Sequence, residues 1–128
     1  MLSGYRVLVV EDEAIVAEDI SEAIREAEGV VLGPCAGTRE ARDLLKRDSR
    51  VDVAVLDEAV LDVNVSDGAI TPVLEALHAR RIPTVIYTGG ALPKYMRRRH
   101  PDLTVLTKPI RTARLIAELR RVKGKLVA

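Results

Sequence analysis

The sequence predicts an α/β fold, a (βα)5 doubly wound parallel sheet in which five strands alternate with five helices. Short apolar runs rich in β-branched residues, such as RVLVV at residues 6–10, are typical of strands covered on both faces. Between these runs, apolar residues recur at helical spacing. This alternation favours a parallel sheet, because each helix returns the chain to the edge from which the next strand starts.

The elements can be placed along the whole chain. Strands are predicted at 6–10, 30–32, 53–56, 84–87 and 104–106, and helices at 14–26, 38–46, 69–80, 93–99 and 112–123. Gly33-Pro34 is expected to end the second strand, Thr38 to cap the second helix and Gly89-Gly90 to end the fourth strand. We therefore expect one domain over residues 1–128, without an output domain.

Composition excludes several classes of protein. The one cysteine, Cys35, excludes an internal disulfide and a metal site built on several thiolates. No apolar run approaches the ~20 residues of a membrane span, and the start of the chain lacks a signal-peptide pattern, so a cytoplasmic location without membrane contact is expected. With three Tyr and no Phe or Trp, the chain has few groups for base stacking, and no direct nucleic-acid partner is expected.

Charge is distributed unevenly. Residues 1–67 hold 16 Asp and Glu against 7 Lys and Arg, whereas residues 68–128 hold 3 against 13. This asymmetry predicts either ordinary solvated helix faces or an acidic pocket together with a basic surface for docking a partner protein. The candidate docking residues are all arginines near the C-terminus: Arg97, Arg98, Arg99, Arg114, Arg120 and Arg121.

Charged and hydroxyl residues follow four of the strands. They are Glu11-Asp12-Glu13, Asp57, Thr88 and Lys108. In a sheet of this kind, ligands bind beyond the carboxyl ends of the strands, where the strand order reverses. Carboxylates that converge there repel one another unless a cation is present, and hard oxygen ligands suit Mg²⁺. A metal, a lysine and a hydroxyl are what a phosphoryl group on a carboxylate requires.

The motifs VVEDE, VDVAVLD, YTGG and LTKP occur in the order found in response-regulator receiver domains, and the sequence from residue 5 to 123 resembles that family. The resemblance implies a flavodoxin-like, CheY-like fold that accepts a phosphoryl group on an aspartate. The donor would be a histidine kinase or a histidine phosphotransfer protein, and the output would pass to a downstream protein, with weak homodimerisation also expected. PTVIYTGG is also similar to the FATG signature of single-domain receivers associated with stress-response kinases, with Ile86 and Tyr87 in place of its phenylalanine and alanine.

The resemblance also implies a role for individual residues. Mg²⁺ would be held by Asp12, Asp57 and the backbone carbonyl of Ala59, with Glu11 acting through water. Thr88 and Lys108 would bind the phosphoryl group. The bond before Pro109 is expected to be cis, which would aim Lys108 into the pocket. Val105 stands where the family carries an aromatic rotamer switch, and Glu13 is assigned to the N-terminal turn of the first helix.

The phosphoacceptor has two candidates, because AVLD occurs at residues 54–57 and again at 59–62. Counted from the end of the helix predicted at 38–46, the strand VDVAVLD ends at Asp57. The sequence LDVNVSDG before the next helix resembles the loop that follows the acceptor in receiver domains, and this favours Asp62. If the strand ended at Asp62, either Asp57 would be an unpaired carboxylate inside a central strand or VAVL would be an apolar loop. We therefore favour Asp57, with five extra residues in the following loop. Asp62 remains the alternative, and so does a chain whose lengthened loop has abolished phosphorylation, leaving a phosphorylation-independent interaction module.

Three rival functions belong to other classes. A phosphatase or phosphotransferase of the haloacid-dehalogenase type would carry an Asp-x-Asp motif on the first strand, where this chain has Glu-Asp-Glu. A flavin-binding electron carrier would require a phosphate-binding loop and stacking aromatics. A nucleic-acid module is the third rival, and a salt-dependent shift assay would test it.

Overall fold

The computed structural model describes residues 2–47, 50–57, 71–90, 98 and 103–127. The strands are β1 (Arg6–Val10), β2 (Val30–Cys35), β3 (Val53–Asp57), β4 (Thr84–Thr88) and β5 (Thr104–Thr107). Within the described residues the helices are α1 (Ala14–Glu26), α2 (Thr38–Arg47), α3 (Thr71–Ala79) and α4 (Thr112–Val127). The helix predicted at 93–99 lies outside the described residues except for Arg98, which is helical.

The five strands form one parallel sheet in the order β2-β1-β3-β4-β5, which confirms the predicted fold class. The chain runs from β1 outward to β2 and then returns to the other side of β1 to form β3. The strand order therefore reverses at β1 and β3, and the crevice beyond their carboxyl ends is the expected position of a ligand site.

The sheet is covered on both faces, as its continuous apolar strands predicted. Successive residues of a strand point to opposite faces, so each central strand contributes to two cores. One core packs strand residues against α2 and α3: Leu8, Val10, Leu56 and Ile86 with Leu44, Leu45, Val73, Leu74 and Leu77. The other packs the alternate strand residues against α1 and α4: Val7, Val9, Val55 and Val85 with Ile20, Ile24, Leu115 and Leu119.

The second strand is longer than predicted. The Gly33–Pro34 pair lies within β2 and does not end it; Gly33 has a φ of 98°, and the peptide bond to Pro34 is cis. The pairing with β1 shifts register between Leu8 and Val10, and it resumes with Val10 opposite Cys35. The strand thus absorbs the irregular pair as a bulge and continues to Cys35.

Two helix boundaries also differ from the prediction. Thr38 is the first residue of α2 and not its cap, since the carbonyl of Gly37 accepts the hydrogen bond from the N–H of Ala41. The last helix, α4, runs to Val127 and passes the end predicted at Lys123. Among the described residues, no helix is both long enough and apolar enough to cross a membrane.

Candidate functional site

Three carboxylates meet at the carboxyl ends of β1 and β3. Glu11 and Asp12 directly follow β1, and Asp57 is the last residue of β3. Because Val10 of β1 pairs with Leu56 of β3, the residues that come next on the two strands are also neighbours. One ligand oxygen from each of the three carboxylates lies within 4.8 Å of the others. Asp57 therefore lies with the acidic pair, in the register favoured by the sequence.

Burial makes this cluster unusual. Glu11 and Asp57 each retain 2% of their accessible surface, whereas Asp12 is exposed. Two buried carboxylates at this separation repel each other and lose hydration, so each requires a partner with a positive charge or a hydrogen to donate. The structure provides a different partner for each of them.

The partner of Asp57 is Lys108, which follows β5. The Lys108 Nζ atom lies 3.2 Å from Oδ1 of Asp57. The backbone N–H of Lys108 donates to the carbonyl oxygen of Thr88 at 2.7 Å, which attaches the end of β5 to the end of β4. The Lys108–Pro109 bond is cis, the isomer expected from the sequence. The contact between Lys108 and Asp57 thus joins the end of β5, which is an edge strand, to the end of the central strand β3.

Thr88 is the last residue of β4, so it lies at the carboxyl ends of the strands, as the three carboxylates do. It is 2% exposed, and its Oγ1 accepts a hydrogen bond from the backbone N–H of Gly90 at 3.1 Å. Asp57 pairs with Tyr87 in the β3–β4 register, so Thr88 is one residue further along the neighbouring strand. Its hydroxyl therefore belongs to the same end of the sheet as the carboxylates and the lysine.

The partner of Glu11 is Tyr87, a residue that the sequence analysis did not select for the site. The Tyr87 hydroxyl donates to Oε1 of Glu11, and the backbone N–H of Glu13 donates to Oε2 at 2.9 Å. The Tyr87 ring also lies under the ammonium of Lys108, with 5.1 Å between Nζ and the ring centroid, within the range of a cation–π contact. One signal pointed to this residue: a tyrosine inside a buried strand requires a partner for its hydroxyl.

The electrostatics of Glu11 and Tyr87 follow from burial. Burial is the main cause that raises the pKa of Glu11, and the Asp57 charge adds to it, while the bonds from Tyr87 and Glu13 act in the opposite direction. Burial, followed by the bond to Glu11, raises the pKa of Tyr87 far above its ordinary value. The Tyr87 hydroxyl therefore remains protonated and remains a donor at physiological pH.

The donor set fits a magnesium ion. All three side chains offer carboxylate oxygens, the ligand type that Mg²⁺ prefers, and the exposed position of Asp12 leaves room for the water ligands that Mg²⁺ retains. Burial raises the pKa of Glu11 and the Asp57 charge adds to this effect; a bound cation would offset that second contribution. Two predicted residues, Ala59 and Asp62, lie outside the described residues.

The predicted docking arginines are only partly described. Arg97 and Arg99 lie outside the described residues, whereas Arg98 and Arg120 are exposed. On α4, two of the arginines share one acidic partner, Glu118. Its carboxylate lies 3.8 Å from Nε of Arg114 and 2.8 Å from a terminal nitrogen of Arg121. The basic face of α4 is therefore partly neutralised by its own helix.

No protein-family model and no curated protein matches the sequence. Solved structures do match the fold over nearly the whole chain. A response regulator receiver protein from Sinorhizobium medicae is 22% identical, with a TM-score of 0.76 over 97% of this chain and 98% of that one. A response regulator receiver domain protein from Clostridium thermocellum is 18% identical, with a TM-score of 0.76 over 97% and 99%.

A third similar structure is the receiver domain of a sensor histidine kinase from Pseudomonas aeruginosa, described with a magnesium ion coordinated in its active site cleft. It is 24% identical, with a TM-score of 0.71 over 95% of this chain and 99% of that one. At these identities the likeness shows the fold, and the chain has the CheY-like fold of response regulator receiver domains.

Proposed function

We propose that this chain is a receiver domain that accepts a phosphoryl group on Asp57 and thereby changes its binding to a downstream protein. The observation that carries the proposal is the environment of Asp57, a buried carboxylate at the end of a central strand with the Lys108 ammonium 3.2 Å away and the acidic pair beside it. The receiver fold of the similar structures supports the same function. The donor would be a histidine kinase or a histidine phosphotransfer protein.

In the proposed transfer, a carboxylate oxygen of Asp57 attacks the phosphorus of a phosphohistidine. The new O–P bond forms as the N–P bond breaks, and the imidazole leaves with the electron pair and is reprotonated from solvent. Catalysis of this step consists mainly of positioning and of neutralising charge on the phosphoryl oxygens. Lys108 supplies a fixed positive charge and Thr88 a hydroxyl donor, while hydrolysis of the acyl phosphate by water restores Asp57.

The same pocket would hold Mg²⁺ through Asp12 and Asp57, with Glu11 acting through water and the backbone of Ala59 completing the set. When bound, the ion supplies positive charge that offsets both the carboxylates and the incoming phosphoryl group. The magnesium in the similar Pseudomonas aeruginosa receiver supports this part of the proposal. The chain's own contribution is a buried nucleophile, a lysine and a hydroxyl aligned at one edge of the sheet.

The test is phosphorylation in vitro by acetyl phosphate with Mg²⁺, followed by intact-mass measurement and peptide mapping. We expect one phosphoryl group on Asp57, lost in Asp57→Asn, retained in Asp62→Asn and dependent on Mg²⁺. Modification that maps to Asp62 would overturn the assignment of the acceptor. If no phosphoryl group is gained and beryllofluoride with Mg²⁺ produces no thermal shift, the function is that of a phosphorylation-independent interaction module.

A further inference from the structure

We propose that Tyr87 is a positioning residue of the phosphoryl site, whose hydroxyl orients Glu11 toward the metal and whose ring supports Lys108. This inference rests on the proposed function and assigns a role to a residue of that same site. Tyr87 contacts one member of the acidic pair through a hydrogen bond and the lysine through its ring. It therefore connects the two oppositely charged halves of the pocket.

The first step concerns the orientation of Glu11. A glutamate has one more rotatable bond than an aspartate, so its carboxylate must be fixed before it can hold a metal-bound water. Here the Tyr87 hydroxyl donates to Oε1 and the Glu13 N–H donates to Oε2, so each oxygen is bound by a different donor. A carboxylate oxygen accepts a second hydrogen bond, so each atom retains acceptor capacity for a water. The carboxylate is thus oriented and still able to act.

The second step concerns the position of Lys108. Its ammonium lies 5.1 Å from the centroid of the Tyr87 ring and 3.2 Å from Oδ1 of Asp57. Tyr87 is 4% exposed and belongs to the core beneath α1 and α4, so packing fixes the position of its ring. A cation–π contact with this fixed ring restricts the flexible Lys108 side chain to the side of the pocket where the phosphoryl group would be bound.

A simpler role for Tyr87 is core filling, and the hydroxyl separates the two roles. Phenylalanine would fill the same core with the same ring. Because phenylalanine has no hydroxyl, Oε1 of the buried Glu11 would lose this donor. Tyr87→Phe therefore removes the proposed contact to Glu11 and keeps both the packing and the contact to Lys108.

The first experiment measures metal affinity with Mn²⁺, which accepts the oxygen ligands of Mg²⁺ and whose free ion is counted by electron paramagnetic resonance. We expect Tyr87→Phe to weaken Mn²⁺ binding by about tenfold, the loss typical of an outer partner of a metal ligand. The matched control is Tyr5→Phe, which removes a hydroxyl from a half-buried tyrosine beside the start of β1, at the opposite end of the sheet. Its Mn²⁺ affinity should equal that of the unaltered chain.

A double-mutant cycle tests whether Tyr87 acts through Glu11. In a Glu11→Ala background the Tyr87→Phe change should have no further effect on Mn²⁺ affinity, because the side chain that the hydroxyl orients is gone. If the two effects multiply, Tyr87 acts on the pocket by another route and the proposal is overturned. Unchanged affinity in Tyr87→Phe alone overturns it as well.

The role of the ring is tested with beryllofluoride at saturating Mg²⁺. We expect Tyr87→Leu, which lacks the ring, to bind the phosphoryl mimic more weakly than Tyr87→Phe, and we expect this difference to vanish in a Lys108→Met background. A difference that persists without Lys108 would assign the ring to packing.

The control without substitution separates this proposal from the proposed function. If the unaltered chain binds neither Mn²⁺ nor beryllofluoride, both the proposed function and the role of Tyr87 are wrong. If it binds both and the Tyr87 variants match it, only the role of Tyr87 is wrong.

Should Tyr87→Phe fail to fold, fluorine NMR of the unaltered chain labelled with 3-fluorotyrosine replaces that variant. The resonances of the label are assigned with Tyr5→Phe and Tyr95→Phe. Mg²⁺ must then shift the Tyr87 resonance, and an unmoved resonance overturns the proposal.

Discussion

Replacing Glu11 with glutamine should stabilise the metal-free protein and destabilise the Mg²⁺-bound protein relative to the unaltered chain. Glu11 is 2% exposed, and one of its oxygens lies within 4.8 Å of an oxygen of Asp57. The substitution removes a buried negative charge beside another one, which favours folding when no cation is present. It also removes a carboxylate from the proposed metal site, which matters when Mg²⁺ is present.

The size of the effect can be worked from the structure. At 4.8 Å, the upper limit of the distance between the two oxygens, and an effective dielectric constant of about 20, two unit charges repel by about 3.5 kcal/mol. Lys108, 3.2 Å from Asp57, offsets part of this repulsion. Glutamine can still accept from Tyr87, but weakening the bond from the Glu13 N–H costs about 1–2 kcal/mol. These two values leave about 1.5–2.5 kcal/mol. The offset by Lys108 reduces the net gain to about 1 kcal/mol, which corresponds to about 4 °C in melting temperature for a chain of this length.

The pH dependence has a definite sign. Burial raises the pKa of Glu11 in the native state above its value in the unfolded chain. Its contribution to stability is therefore fully present below the unfolded pKa and is lost as pH rises through the native pKa. The Glu11→Gln variant does not lose stability in this way, because glutamine does not ionise. Its advantage should accordingly be absent in acid, where Glu11 is protonated, and appear above the native pKa.

Thermal melts followed by circular dichroism at pH 4 and pH 8, with EDTA or with millimolar Mg²⁺, measure all of these effects. Glu22→Gln, a change at an exposed glutamate of α1, controls for the loss of a charge elsewhere on the chain. A Glu11→Gln variant that is less stable at pH 8 in EDTA would refute the electrostatic reasoning. An unchanged stability order on adding Mg²⁺ would refute a role for Glu11 in binding the metal.

Three further predictions concern other parts of the molecule. Lys108→Met should reduce, without abolishing, the thermal shift produced by beryllofluoride with Mg²⁺, since the mimic loses its fixed cation; a full shift in the variant would contradict this. Burial raises the pKa of Cys35 to about 11, so alkylation at pH 8, followed by mass, should be slow until the protein unfolds, and rapid labelling of the native state would contradict it. Gly33→Ala should destabilise by at least about 2 kcal/mol in urea titrations, because Gly33 has a φ of 98° and an added Cβ would lie 2.6 Å from the Cys35 nitrogen. Gly89→Ala, where a Cβ meets nothing within 4 Å and φ is not positive, is the control, and an equal effect at both positions would refute the steric explanation.

The layout of the sheet could be predicted because its signals are local. A run such as Val7–Val10 has no polar residue to expose, so both of its faces must be covered, and a parallel sheet between two helical layers follows. The residues that follow parallel strands lie at the same end of the sheet. The sequence therefore predicted that Glu11, Asp57 and Lys108 lie close together. The β2 boundary was wrong because glycine and proline ordinarily end a strand, and here pairing with β1 continued across them.

The partners within the site could not be predicted, because they depend on the register between strands distant in sequence. Tyr87 reads as one more apolar residue of a buried strand, and only the alignment of β4 with β3 brings its hydroxyl to Glu11. The shielding of the arginines on α4 was missed for a related reason. The sequence analysis weighed charge by sign and region, whereas Glu118 lies three and four residues from Arg121 and Arg114 on the same helix face.

The position of the aromatic residue constrains how a phosphorylation signal could leave the site. Val105, where the receiver family carries a mobile ring, is a half-buried residue of β5 paired with Ile86. The aromatic ring of the pocket is instead Tyr87 on β4, which is buried and bound to Glu11. A ring fixed in this way cannot alternate between a buried and an exposed rotamer without breaking a hydrogen bond to a buried carboxylate. We therefore expect the signal to pass through Thr88 and through the backbone bond that joins it to Lys108, toward β5 and α4.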